Sequence, residues 1–147
     1  MSHFLFVAGA LRERSSLDSA ELQLSHQVWG LRSGLIRANL QQYLTDQSSG
    51  LVYALKVGLC AQFRIVSQVL PLASLDELTH DELRSETRYG FVRIDAIVRW
   101  ESGTEQSLAL LQGILKIADR EELTRRLNLG MHRLTEDEYE AIIKRLT

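Results

Sequence analysis

Two apolar runs in the middle of the chain, Leu51 to Leu55 and Leu59 to Leu70, constrain its fold most tightly. Both are rich in Val, Ile, Leu and aromatic residues, the composition of β-strands. Lys56 to Gly58 between them predicts an antiparallel pair joined by a tight turn. The second run is long enough to bend around a barrel, and Pro71, the only proline, ends it. Phe91 to Trp100 adds a strand that alternates, with Val92, Ile94 and Val98 on one side and Ala96 between them. Phe91, Arg93, Asp95, Ile97 and Arg99 face the other way. His3 to Ala8, ending at Gly9, reads as an opening strand. A sheet of four or five such strands must hide its edges by closure or under helices.

The covering helices are written in capping and periodicity. Asp18 with Glu21 offers a capping box for a helix to about Gln27. Trp29-Gly30-Leu31-Arg32 interrupts, and from Ser33 the residues Ile36, Leu40, Tyr43 and Leu44 recur at helical spacing. Asp46 to Gly50 reads as a turn by composition. Ser74 to Glu86 reads as a long charged excursion with room for one helical turn. Leu108, Leu111 and Leu115 mark a helix over 106–117. Asp119 with Glu122 starts another, carrying Leu123 and Leu127 and closed by Gly130. Thr135 with Glu138 forms a further capping box, after which Tyr139, Ile142, Ile143 and Leu146 make one apolar face. The order β, α, α, β, β, β, then helices, predicts a single α+β domain over 1–147: a small mixed or antiparallel barrel flanked by short helices.

The formal net charge of −2 argues against a general polyanion binder, although arginine dominates the 17 basic residues and leaves room for a local patch. A single cysteine, Cys60, excludes an internal disulfide. The apolar start lacks a basic leader and is too short to span a bilayer, and no other run approaches the ~18 apolar residues a span needs. A cytoplasmic, non-membrane protein is expected. His3, His26, His80 and His132 are scattered without metal-ligand spacing, and no phosphate-binding glycine loop or nucleophile motif occurs. No catalytic residue, metal or cofactor is expected.

Four segments, in order, resemble the EVE domain family of the PUA-like superfamily, whose relatives include YTH and ASCH domains. They are the opening strand, Val28-Trp29-Gly30-Leu31 leading into a helix, the pair Leu51–Leu55 and Cys60–Val69, and Arg88-Tyr89-Gly90-Phe91-Val92-Arg93-Ile94. Leu110 to Lys116 is placed like a family helix, and the close Arg133-Leu134-Thr135-x-x-Glu138-Tyr139 is similar to the family's terminal motif. Three features depart from the pattern, the first being that Phe4 to Ala8 lacks the polar mouth residues common in the family's opening strand. Ser49-Gly50 stands where Gly-Asp is usual, and Gly90 where a proline is usual.

The resemblance implies a PUA-like fold and a non-catalytic module that binds nucleic acid, DNA or RNA, reading a modified base in an aromatic pocket. Such a pocket needs aromatic walls that stack on the base and a few hydrogen-bonding groups that read its edge. The residues so implied are Trp29, Gly30, Arg32, Ser33, Tyr53, Arg88, Tyr89 and His132. Arg37 and Arg93 are further phosphate candidates, and Ser33 can cap the second helix, whose amide end is a generic anion site. Each has a plainer reading: Trp29 and Tyr53 as core, the arginines as solvated surface. A small-molecule or protein-interaction module on the same scaffold is the alternative, and a basic rim around the pocket would separate the two. An ASCH-like enzyme ranks behind both, because Lys56, Lys116 and Lys144 stand in no catalytic setting. The oligomeric state is open.

Overall fold

The computed structural model describes residues 1–147. Strand β1 (Ser2–Ala8) lies parallel to β3 (Ser48–Ala54), from Ser2 opposite Ser48 to Ala8 opposite Ala54. The expected hairpin is there: β4 (Gly58–Ile65) returns antiparallel to β3. Next to it runs β5 (Phe91–Arg99), also antiparallel. Two short strands complete the sheet, β2 (Val28–Gly30) beside β5 and β6 (Met131–Leu134) beside β1. The order is β2-β5-β4-β3-β1-β6, a mixed sheet of six strands rather than the four or five expected. Neither edge strand was read from the sequence, since three or four residues carry no usable periodicity. Short edge strands leave little unpaired backbone for another chain to add to.

The sheet curls into a half-barrel. Trp29 of β2 and Phe6 of β1 are four strands apart in the order, yet their ring centroids are 6.0 Å apart, and each stands 5.8 Å from Phe63 of β4. Gly50 makes room for this: a Cβ there would come within 2.5 Å of Phe63 and 2.8 Å of Phe6. It therefore sits inside β3, not in the turn its composition suggests. Two aromatic rings cover the bare backbone, a packing known to support glycine in strands.

On the concave side, Ala20 and Leu24 of α1 (Ser16–Ser25) and Leu40 of α2 (Gly34–Tyr43) close over these aromatics. Ser15 caps α1 by accepting from the Asp18 amide, so the expected Asp18–Glu21 box does not form. On the convex side Leu5, Leu51, Tyr53 and Leu59 pack under α4 (Thr104–Ile114), α5 (Arg120–Leu127) and α6 (Glu136–Leu146). The Asp119 cap and the Thr135–Glu138 box stand where the sequence puts them. The charged excursion holds a 3-10 turn at Leu72–Ser74 and a two-turn helix α3 (Glu77–Leu83) capped by Asp76. Leu75 and Leu83 pack there on Val28 and Phe91.

Two departures have backbone causes. Gly90 has φ +113°, which a proline ring, locked near −65°, cannot reach. In β5 the alternation breaks at Ala96, where φ is +51° and the register against β4 slips between Gln62 and Arg64. A slip of one residue turns every later side chain over. Val92 and Ile94 are buried as expected, but Val98 is 42% exposed and Ile97 joins the concave core instead.

His3 sits in the sheet with its ring stacked on Tyr139 at 4.1 Å and Nδ1 2.6 Å from the Ser49 hydroxyl. Burial pushes its pKa below the usual 6.5, against the opposing pull of Glu136. Burial likewise lowers that of His132 on β6. A histidine held neutral in the folded state gives stability that is fully present above the unfolded pKa and is lost as pH falls through the folded one. Stability is therefore expected to hold above about pH 6.5 and to decline below it. Urea midpoints at pH 7.5 and 5.0 check this. His3→Phe, which keeps the stacking, should flatten the decline; an unchanged slope would remove His3 as its source.

Candidate nucleic-acid interface

The junction of β2 and α2 is where the sequence placed half of the candidate residues. Ser33 caps α2, its hydroxyl accepting from the Ile36 amide at 3.1 Å. The amides of Gly34 and Leu35 take no protein acceptor, as the opening turn of a helix requires. Gly34 has nothing within 4 Å of a would-be Cβ, so this turn is open to solvent. Trp29, immediately before, is 3% exposed and locked against Phe6 and Phe63, so it offers a cavity an edge rather than a free face.

Beside it lies a charge that the sequence did not reveal. Glu86 is fully buried. Its carboxylate accepts from the Ser19 hydroxyl at 2.5 Å, the Gln23 amide at 3.0 Å and the Arg32 guanidinium at 2.6 and 2.9 Å. The same Arg32 nitrogen donates to Ser19 at 2.7 Å, and Gln23 turns its own oxygen to the Gly30 amide at 2.7 Å. Arg14 also approaches Glu86, at 3.8 Å. A buried carboxylate is tolerable only when paired and hydrogen-bonded, and this one is both. The network holds the start of α2 in place and aims Arg32 along the wall of a cavity.

That cavity measures about 260 Å³ and opens between the end of β1, the β2–α2 junction and the α5–β6 turn. Ile36, Leu55 and Leu129 form apolar walls, with Arg32, Ser33 and Asn128 as polar groups among them. Gly130, at φ +88°, brings the turn so close that a Cβ there would be 2.7 Å from Ile36. A small cavity, mostly apolar with a few polar groups, suits a flat ring.

Trp29, Gly30, Arg32 and Ser33 line this cavity together. The other four candidates lie elsewhere. Tyr53 is 2% exposed in the convex core, where burial raises the pKa of its phenol. His132 pairs with Leu5 on the β6 edge. Tyr89 is 38% exposed, and the Arg88 guanidinium stands 5.7 Å from its ring centroid. Arg88 lines a separate, wider groove with Arg12, Arg14 and Arg84. Glu13, Asp18, Asp81 and Glu82 line it too, so its formal charge cancels. The basic rim named as the discriminating feature is absent from the cavity as well, since its one arginine is paired with Glu86. Arg37 and Arg93 do not line it either; Arg93 lies over the Phe91 ring at 5.5 Å.

Sequence reading missed Glu86, Ser19 and Gln23, and also the wall formed by Asn128 to Gly130. Glu86 ends a run of charged residues and looks like any of them. The turn was read only as a helix stop.

The curled mixed sheet, its helical covering and the capped β2–α2 junction define an α+β protein of PUA-like fold. The fold is shared with the human THYN1 protein, solved in complex with DNA containing 5-methylcytosine: TM-score 0.64 at 15% identity over 98% of this chain and 96% of that one. It is shared also with a Rhodopseudomonas palustris protein solved by NMR, with TM-score 0.60 at 13% identity over 98% and 92%. A Pseudomonas syringae protein gives 0.58 at 16% identity over 99% of both chains. No family model matches the chain, and no curated protein matches it in sequence. The EVE resemblance read from the ordered motifs is thus borne out at the level of the fold.

Proposed function

We propose that this protein is a non-catalytic nucleic-acid-binding module that takes one base, modified by an apolar group, into the cavity beside Trp29. The carrying observation is the cavity itself, where Arg32, Ser33 and Asn128 meet the apolar walls of Ile36, Leu55 and Leu129. An extruded base needs this combination: a ring-sized apolar slot and fixed polar groups for its edge. The THYN1 complex supports the reading, because a protein of the same fold binds DNA that carries a methylated base. A methyl group buried against the leucines and isoleucine contributes about 0.8 kcal/mol, about a fourfold preference over the unmodified base. With Arg32 already neutralised and a net charge of −2, few phosphates are engaged and the salt dependence of binding is shallow.

The test is a titration of methylated and unmethylated DNA and RNA oligonucleotides at low salt, for the native protein and Gly34→Asp. Aspartate at the first helical position favours α2, so the fold is kept or strengthened. It also places a negative charge one residue from Ser33 of the cavity wall, and a loss of affinity of about tenfold is expected. Trp29→Ala is a poor probe, since truncating a buried aromatic residue costs about 3–5 kcal/mol of stability. If no oligonucleotide binds at low salt, the reading fails and a small-molecule or protein ligand for the same cavity, the alternative that the missing basic rim favours, takes its place.

A further inference from the structure

Leu129 stands 66% exposed on the lip of the cavity and belongs to none of the three apolar clusters. The turn that carries it is fixed. Asn128, Leu129 and Gly130 donate their amides to Thr124, Arg126 and Leu127 at 3.0, 3.2 and 3.1 Å, and the Gly130 carbonyl accepts from Val7 of β1 at 2.9 Å. A solvated turn with this bonding has no need of a leucine, because any side chain would satisfy the backbone equally. Other leucines are as exposed, Leu35 at 69% and Leu78 at 88%, but neither lines the cavity.

From this position we infer that Leu129 is a wedge, inserted into a nucleic-acid duplex at the step vacated by the base that enters the cavity. The inference rests on the nucleic-acid reading above and adds to it how a duplex is opened. Extruding a base leaves a gap between two base pairs, and an apolar side chain of a rigid element can fill it and keep the stack open. The side chain must stand next to the cavity mouth, be exposed before binding and be unable to fold away; Leu129 meets all three conditions. Asn128 beside it is also exposed, and its amide both donates and accepts, which suits the edge of the base left without a partner.

A single strand has no stack to hold open, so the wedge matters for duplexes alone. The experiment measures binding of a short duplex with one 5-methylcytosine flanked by 2-aminopurine, and of the same strand unpaired, to native protein, Leu129→Ala and Leu129→Met. Leu129→Ala is expected to bind the duplex at least tenfold more weakly and to lose the rise in 2-aminopurine fluorescence that reports unstacking. Its single-strand affinity should fall by about threefold at most, the loss of one wall contact with the base, and Leu129→Met should restore both duplex readouts. Equal duplex binding by native protein and Leu129→Ala, or equal loss on duplex and single strand, overturns the wedge while leaving the module a nucleic-acid binder. Native protein that binds neither form overturns the nucleic-acid reading, and the wedge with it.

Discussion

Gly30→Ala is expected to destabilise the protein by about 3 kcal/mol or more, roughly 6–12 °C in Tm for a chain of this size. The backbone at Gly30 is ordinary β-strand, so the cause is space, not conformation. A Cβ there would stand 2.1 Å from the carbonyl oxygen of Glu86 and 2.5 Å from its carbonyl carbon. No rotamer relieves a clash with backbone. The backbone in question is held on both sides: the Glu86 and Thr87 amides donate to Leu83 at 2.9 Å, and that of Tyr89 donates to Leu31 at 3.3 Å. Moving it would pull Glu86 from its partners or β2 from β5. Gly34→Ala, four residues on and in open space, is the control. Alanine in a helical first turn should be neutral or stabilising by about 0.4–1 kcal/mol. Thermal melts of the two variants decide the matter, and equal melting temperatures would refute the close approach.

Glu86→Ala should cost about 3–5 kcal/mol, because it strands the guanidinium of Arg32, leaves the Ser19 hydroxyl without its acceptor and takes one of two acceptors from the Gln23 amide. Removing one member of a buried pair is worse than removing both. Glu86→Leu combined with Arg32→Met is accordingly expected to recover part of the loss seen in Glu86→Leu alone. A strictly additive result in urea denaturation would show that the two charges do not depend on each other. The single variants should also disturb ligand binding, since Arg32 lies between this carboxylate and the cavity. An Arg32 freed from Glu86 becomes available to phosphate, so any remaining oligonucleotide binding should depend more steeply on salt.

The candidate site was legible in part, and the division follows sequence distance. Trp29, Gly30, Arg32 and Ser33 fall within five consecutive positions, and a helix cap after a tryptophan-glycine step can be read without knowing the fold. Tyr53 and Trp29 are alike in the sequence as aromatic pocket candidates that could equally be core. The phase of the curled sheet sent one to the concave side and one to the convex side. Arg88 and Tyr89 were read near the cavity mouth, yet Arg88 turns into the charge-balanced groove beyond the Glu86 network. Gly50 reads as a turn residue because composition cannot show that two aromatic rings will cross it.

By itself the sequence determined the elements whose signals lie within one turn of helix or one hairpin. These are the opening strand, the β3–β4 pair, the Ser33 and Asp119 caps and the Thr135–Glu138 box. Each depends on hydrogen bonds between near neighbours, which residue type and spacing already imply. Only the tertiary structure decided that Glu86 is a buried anchor, that the α5–β6 turn walls a cavity and that β5 changes phase at Ala96. Glu86 meets Ser19 across 67 positions of chain and Gln23 across 63. Pairings at that range are set by how the sheet curls and what it must enclose, and no local pattern of residue types encodes them.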